Sequence, residues 1–86
     1  MDLRFVSSLI AVIDQGSLAE AARHEGITAS AISQRVAALE AELRVPLLQR
    51  AGRVVQPAPQ CRAVLPRLGQ MVHLQDRLRI DLHGKT

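Results

Sequence analysis

The segment GSLAEAARHEG at residues 16–26 constrains the fold most, because a glycine stands at each end of a short helical run. Ser17 and Glu20 form a capping-box pattern, in which the serine hydroxyl accepts from the Glu20 amide and the glutamate reaches back to the Ser17 amide. Glycine ends helices readily, since it adopts left-handed backbone angles at little cost. The segment therefore predicts a short second helix from about Leu18 to His24.

The flanking segments predict two longer helices. Residues 3–13 carry a wide apolar stripe, and Asp2 can cap the start of this first helix. Thr28 is a good N-cap for a third helix that continues to about Leu43. At about 100° per residue, the apolar side chains of the third helix form one core-facing stripe. The stripe consists of Ile32, Val36, Leu39 and Leu43.

The opposite face of the third helix is built from small or uncharged side chains, chiefly Ser30, Gln34, Ala37 and Ala41. An ordinary solvated face carries long, charged side chains. A short helix, a turn at Gly26 and a longer helix with small residues are typical of a helix-turn-helix, whose second helix enters the major groove of DNA. We therefore predict a helix-turn-helix at about residues 18–37.

A hairpin is predicted after the third helix, at about residues 47–57, with its turn at Ala51-Gly52. Arg50 and Arg53 then lie on the two sides of the turn, where they can contact phosphate or enter a flanking minor groove. Three helices followed by such a hairpin predict a mainly α, winged helix-turn-helix domain over residues 1–58.

A last helix is predicted from Pro59 to about Leu82, with a bend at Pro66 and a frayed end at residues 83–86. Alternating spacings of four and three residues place a seam with one polar interruption along this helix. We expect this seam to be a dimer interface, although it could instead belong to the core of the same domain. Its residues are Val64, Leu68, Met71, Gln75, Leu78 and Leu82.

Length and composition limit the chain to one small domain, because 86 residues hold a single modest core. One Phe and no Trp or Tyr leave the core to aliphatic residues, which favours a mainly α fold. Cys61 is alone, the start lacks a secretory signal, and no apolar run approaches the roughly 20 residues that cross a bilayer. We therefore expect a soluble, cytoplasmic, nucleoid-associated protein.

Charge is unevenly distributed, although the formal net charge is only +3. Residues 43–75 contain no carboxylate and carry Arg44, Arg50, Arg53, Arg62 and Arg67. Such a stretch attracts a polyanion, either nucleic acid or an acidic membrane surface, and arginine suits bidentate phosphate contacts. A genome-wide bias towards arginine codons would explain the scarcity of lysine equally well.

Motifs for catalysis and metal binding are missing from the sequence. His24, His73 and His83 are scattered, and no trio of Ser, His and a carboxylate has motif spacing. A lone thiol with scattered histidines makes no recognisable metal site, and there is no Gly-rich phosphate loop. We therefore expect no enzymatic activity, no metal and no cofactor.

Residues 2 to about 65 closely resemble the N-terminal DNA-binding domain of LysR-type transcriptional regulators. The matching features are GS before the second helix, AA within it, SAIS in the third helix, LE near its end, and LRVPLLQR leading into the wing. SAISQR is most similar to the branch that controls basic amino-acid export and arginine metabolism. The resemblance implies a winged helix-turn-helix, a linker helix that dimerises with its mate, and binding to an inverted repeat in DNA.

The resemblance also implies two sets of DNA-facing residues. The recognition-helix set is Thr28, Ala29, Ser30, Ser33, Gln34 and Arg35, and the wing set is Arg50 and Arg53. The chain departs from the family pattern in two places. Ala29 stands where Gln or Pro is usual, and Ala58-Pro59-Gln60-Cys61 replaces a Thr-x-Ala-Gly run at the start of the linker helix.

Each recognition-helix residue also has a purely structural interpretation. Ser33 and Gln34 could be ordinary surface residues, and Ser30 could support the first helical turn. Thr28 could serve only as a cap. Arg35 could pair with Glu40 or Glu42 across the helix surface; Arg44, Arg62 and Arg67 could be solvated charges or contacts between subunits.

We therefore expect a homodimer that binds double-stranded DNA sequence-specifically and regulates transcription, with residues 28–43 in the major groove. Neither an effector-binding domain nor a small-molecule effector site is expected within this chain. The alternative is a protein-interaction module that heterodimerises with a full-length regulator and inhibits it.

Overall fold

The computed structural model describes residues 1–84, which fold as four α-helices and a two-stranded antiparallel sheet. In chain order the elements are α1 (Leu3–Gln15), α2 (Leu18–Glu25), α3 (Ala29–Leu43), β1 (Leu48–Ala51), β2 (Val54–Pro57), α4 (Pro59–Arg79) and a terminal π-helical turn (Ile80–Gly84). Among these helices, none combines the length and the apolar character that a membrane span needs.

Side-chain caps start the first three helices where the sequence predicts them. Asp2, Ser17 and Thr28 each accept a hydrogen bond from a backbone N–H in the first turn of the helix that follows. The second half of the predicted capping box is not formed, because the Glu20 carboxylate pairs with Arg23. An ion pair with a nearby guanidinium has replaced a contact to the Ser17 amide.

The first three helices end in left-handed backbone conformations. Gly16 and Gly26 follow α1 and α2 with φ values of 72° and 71°, and each N–H donates to a carbonyl of the last helical turn. Arg44 follows α3 with a φ of 61°, although a side chain at such an angle is strained. The glycine stops that shape the helix-turn-helix are therefore as predicted, and α3 ends at a residue type that rarely adopts this geometry.

One apolar core lies where α1, α2 and α3 pack together, and the hairpin and the first half of α4 close it. Its largest fully buried side chains include Leu9, Ile32, Leu39 and Leu47. Leu43 is 39% exposed, so its prediction as a core residue is wrong. It is the last residue of α3, and its side chain therefore lies at the margin of the core.

The hairpin has the predicted strands, but its turn lies one residue later than expected. Ala51 pairs with Val54, so Gly52 and Arg53 form the two-residue turn instead of Ala51 and Gly52. Gly52 has a φ of 63°, and a two-residue hairpin turn places a glycine with positive φ at its first central position. The requirement for glycine at that position therefore sets the register.

Specific hydrogen bonds attach the hairpin to the helices. The Val55 N–H donates to the Gly16 carbonyl at 3.0 Å, and the Leu47 N–H donates to Glu40 Oε2 at 2.8 Å. A Cβ added at Gly16 would lie 3.3 Å from Cγ1 of Val54. Glycine is therefore favoured there by both its φ and the close approach of the hairpin.

The first half of α4 belongs to the core of the same chain. The helix begins at Pro59, and Ala58 offers no side-chain cap. Cys61 and Leu68 are buried, and Val64 packs against the same core. The assignment of Leu68 to a dimer seam is therefore wrong, because α1 and the hairpin already cover that side chain. Val64 is only half-buried, and its assignment to the seam stays a prediction.

The distal half of α4 extends away from the core with most of its side chains exposed. Pro66 lies inside the helix. Residues 83 and 84 were predicted to fray, but they continue the helical path in the terminal π turn. The rest of that predicted segment, residues 85 and 86, lies outside the described residues.

Candidate nucleic-acid interface

The turn between α2 and α3 is short and held by hydrogen bonds at both ends. The Ile27 N–H donates to the Ala22 carbonyl at 3.1 Å, just after Gly26 ends α2. Thr28 then caps α3, its Oγ1 accepting from the Ala31 N–H at 3.0 Å. Because α1 packs across both helices, the unit is a helix-turn-helix with α3 as its second helix.

The outer face of α3 carries small or uncharged side chains. The exposed residues there are Thr28, Ala29, Ser30, Ser33, Gln34, Ala37 and Ala41. Within residues 1–84, the side-chain hydrogen bonds of α3 and its cap involve Thr28, Arg35 and Glu40. A partner molecule can therefore approach the backbone of α3 closely at this face. The hydroxyls of Ser30 and Ser33 and the amide of Gln34 can form hydrogen bonds with that partner.

Arg35 differs from the other predicted recognition-helix residues, because its side chain turns towards α1. It is half-buried, its guanidinium carbon lies 5.5 Å from the centroid of the Phe5 ring, and NH1 donates to Ser8 Oγ at 3.1 Å. Ser8 Oγ in turn donates to Glu25 Oε1 at 2.7 Å. The three side chains therefore connect α3, α1 and α2.

The alternative pairing of Arg35 with nearby acids on its own helix is not seen. Glu40 accepts from the Leu47 N–H, and Glu42 lies 3.3 Å from the ammonium group of Met1. Ser8 is the partner that the sequence analysis missed. It is fully buried among the apolar residues of α1, and a small polar residue on a core-facing stripe is the signal that could have identified it.

The wing exposes both of its predicted DNA-facing residues. Arg50 lies in β1 opposite Val55, and Arg53 occupies the turn itself. The other arginines of the carboxylate-free stretch, Arg44, Arg62 and Arg67, are exposed as well. Positive charge therefore extends from the end of α3 through the wing into α4 without a compensating acid in that segment.

Two acids near the starts of α1 and α2 form ion pairs with adjacent arginines. A hydrogen bond from the Arg4 guanidinium, with one from its backbone N–H, lowers the pKa of Asp2 to about 2. The Arg23 guanidinium likewise lowers the pKa of Glu20 through a hydrogen bond. Both carboxylates remain charged at neutral pH, but each presents a nearly cancelled charge to a distant anion.

The distal half of α4 exposes a second uncovered surface, which is apolar. Met71, Leu74 and Leu78 are 37%, 66% and 58% exposed. At about 100° per residue they fall within about 60° of one another, and we call them the distal stripe. Leu82 is 66% exposed on the terminal turn, whereas Gln75 is half-buried. Leu74 was absent from the predicted seam, although its spacing from Met71 and Leu78 could have identified it.

Residues 3–62 match the family of bacterial regulatory helix-turn-helix proteins of the lysR family. The match covers α1 to α3, the wing and the start of α4. The chain belongs to the LysR family. The predicted LysR-type, winged helix-turn-helix fold is therefore confirmed, and the chain is a DNA-binding domain of the transcription-regulator type.

Similar bacterial HTH-type transcriptional regulators support this membership. An uncharacterised HTH-type transcriptional regulator of Azotobacter vinelandii is 39% identical over 84 residues, which is 98% of this chain and 58% of the relative. The HTH-type transcriptional regulator ArgP of Pseudomonas fluorescens is 45% identical over 58 residues, which is 67% of this chain and 18% of that protein. This LysR-family chain therefore spans less than two thirds of the length of either relative.

Solved structures share the whole fold. The crystal structure of the CbnR DBD–DNA complex superposes with a TM-score of 0.87 at 28% identity, covering 98% of this chain and 97% of that one. The winged helix-turn-helix and the linker helix are therefore arranged in this chain as they are in a LysR-family domain that was crystallised with DNA.

Proposed function

We propose that this LysR-family domain binds an inverted-repeat operator sequence-specifically as a homodimer, with α3 in the major groove of each half-site. The observation that carries the proposal is the outer face of α3, which is exposed and small and retains free hydrogen-bonding groups. Small side chains allow a helix to sit deep in a groove about 12 Å wide.

Base reading is assigned to Ser30, Ser33 and Gln34. A Gln amide can donate to and accept from adenine in a bidentate pair, and a serine hydroxyl can meet several bases. Thr28 and Ala29 lie at the N-terminal end of α3, where the helix dipole favours a phosphate. The Ala29 side chain cannot form a hydrogen bond, so Ala29 contributes only through its backbone and its small size.

Phosphate contacts are assigned to Arg50 and Arg53. Both are exposed on the wing, and a guanidinium can bind a phosphate with two hydrogen bonds. Such contacts fix the protein on the duplex without reading its sequence. The likeness to the CbnR domain in complex with DNA supports this placement of wing and helix.

Dimerisation is assigned to the distal stripe together with Leu82. These apolar side chains are exposed on successive helical turns, whereas the first half of α4 is already packed against its own core. An exposed apolar face of this kind on a helix is favourably buried against a second helix. Two copies so joined present two recognition helices, as an inverted repeat requires.

The proposal is tested by selecting bound duplexes from a random pool and measuring affinity against salt. A dimer with several phosphate contacts should recover an inverted repeat and lose roughly 10³-fold or more in affinity between 50 and 200 mM salt. The proposal is wrong if no duplex is retained even at low salt.

Two substitutions separate base reading from phosphate binding. Gln34→Ala should reduce affinity for the selected operator more than for random DNA, because a base contact is lost. Arg53→Ala should weaken both alike and lower the salt slope by about one. The exposed Gln70→Ala and Arg79→Ala on α4 are the matched controls, and Arg79 lies outside the carboxylate-free stretch. Equal losses on both duplexes for Gln34→Ala would remove Gln34 from the base-reading set.

The dimer is tested by replacing the distal stripe. The triple substitution of Met71, Leu74 and Leu78 by Gln should convert the chain to monomer in sedimentation experiments while its far-ultraviolet circular dichroism is retained. Leu43→Gln changes an exposed apolar residue elsewhere and should leave the dimer intact. A triple variant that still sediments as a dimer would place the interface elsewhere.

A further inference from the structure

A buried polar cluster joins the recognition helix to the two helices that precede it. Ser8 Oγ is fully buried, donates to Glu25 Oε1 at 2.7 Å and accepts from Arg35 NH1 at 3.1 Å. The Arg35 guanidinium also lies against the Phe5 ring. A single hydroxyl thus connects a cation on α3 to a carboxylate on α2 through α1.

The cluster is under strong geometric constraint. A buried hydroxyl whose partners are both charged costs much to leave unpaired, so each member restricts the others. Arg35 brings a planar guanidinium that both stacks on an aromatic ring and donates to oxygen, which fixes its direction more tightly than a lysine would. The rotation of α3 about its axis is therefore held by a polar contact in addition to apolar packing.

That rotation matters for the neighbouring residues Ser33 and Gln34, which lie on the outer face of the same helix turn. With a helix radius of about 5 Å including side chains, a rotation of about 10° moves the outer atoms by roughly 1 Å. Hydrogen bonds keep their strength over only about 0.5 Å in donor–acceptor distance. Base contacts would be lost by such a rotation, whereas long, flexible arginines could still follow the phosphates.

We propose that Ser8 is a positioning residue for DNA recognition, which sets the orientation of α3 through its contacts with Arg35 and Glu25. This inference rests on the proposed function. Arg35 then acts inside the protein, in contrast to the DNA-facing role that the family resemblance implies for it. The cluster governs how well the domain discriminates its operator, while the phosphate contacts govern how tightly it binds any duplex.

The test compares Ser8→Ala with Ser7→Ala, a matched change at the preceding, half-buried residue of α1. Affinity is measured for the selected operator and for random duplex over a salt series, at a temperature where both variants are folded. Ser8→Ala should lower the ratio of specific to random affinity by about five-fold or more, with the salt slope unchanged. Ser7→Ala should keep both the ratio and the slope.

The Arg35→Lys variant distinguishes a role in positioning α3 from direct phosphate binding by Arg35. It also tests the proposal if Ser8→Ala fails to fold. Lysine retains the charge but loses the planar guanidinium, so the specificity ratio should fall as it does for Ser8→Ala. Amide hydrogen–deuterium exchange in residues 29–37 of the free chain should rise in both variants, which reports the loosened helix without DNA.

Three outcomes would overturn the inference or its basis. If Arg35→Lys keeps the ratio and Arg35→Ala lowers the salt slope by about one, Arg35 contacts phosphate and the positioning role is wrong. If Ser8→Ala keeps the ratio while the unaltered chain discriminates, only the positioning role fails. If the unaltered chain binds no duplex, the proposed function itself fails.

Discussion

The two long helices of this domain each leave one face uncovered, and the faces differ in chemistry. The outer face of α3 holds alanine, serine and glutamine, whereas the distal half of α4 exposes Met71, Leu74 and Leu78. Neither resembles a solvated helix face, which carries long charged side chains. The small polar face fits a hydrated, hydrogen-bonding surface such as a DNA groove, and the apolar face fits another apolar helix.

The inner faces of the two helices differ as well. Ile32, Val36 and Leu39 are buried along most of α3, so the domain core determines where this helix lies. Only the first half of α4 is held in that way, through Cys61 and Leu68. A helix that reads bases in a DNA groove must have its position fixed along its whole length. A helix that packs against a second copy of the chain is fixed by that copy when the two associate.

The largest difference between α3 and α4 is expected in the free energy of unfolding when one leucine of each helix is replaced by alanine. Leu39→Ala should lower the free energy of unfolding by about 3 kcal/mol, since Leu39 is 1% exposed and its loss leaves a cavity. Leu78→Ala should change it by less than about 0.5 kcal/mol at concentrations where the chain is monomeric, because Leu78 is 58% exposed. Urea denaturation of both variants measures this, and a similar cost for the two would contradict the comparison.

Substitutions at the N-caps of α3 and α4 should have smaller effects on stability, and the two effects should be opposite in sign. Thr28→Ala should destabilise the domain by about 1 kcal/mol, because the hydrogen bond to the Ala31 N–H at 3.0 Å is lost. Ala58→Ser should stabilise it by about 0.5–1 kcal/mol, since Ala58 leaves the start of α4 without a side-chain cap. Thermal unfolding at fixed chain concentration measures both. A loss of stability in Ala58→Ser would show that this largely buried residue has no room for a hydroxyl.

Much of the fold could be predicted because the helix boundaries depend on local start and stop signals in the sequence. Gly16, Gly26 and Thr28 set the helix boundaries through their own backbone preferences and hydrogen bonds. The periodicity of α4 identified an apolar face but not what covers it. Leu68 was therefore assigned to a partner subunit, although it packs in the core of its own chain. That distinction depends on the path of the hairpin and α1, which no local pattern contains.

The candidate site divides in the same way. The exposure of Ser30 and Gln34 follows from their place opposite the core stripe, and helical geometry alone predicts it. Ser33 lies on a flank of the helix, as Arg35 does, and only the packed structure shows that it is exposed. The inward turn of Arg35 could not be predicted, because its partner Ser8 is 27 residues away along the chain. Contacts of that kind depend on how α1 crosses α3. The orientation of a long side chain at the edge of the apolar stripe therefore cannot be predicted before the packing of the helices is known.

Substitution of the residue that ends α3 should have the smallest effect on stability among these predictions. α1 and α2 end at glycines, but α3 ends at Arg44 with a φ of 61°. Arg44→Gly should stabilise the domain by about 0.5–1 kcal/mol, because strain is relieved but the unfolded chain gains freedom. Arg44→Ala is the matched control, since it removes the charge and retains the strain, and it should give no such gain. If both variants stabilise the domain equally, charge repulsion among the arginines, and not backbone strain, limits stability at the C-terminal end of α3.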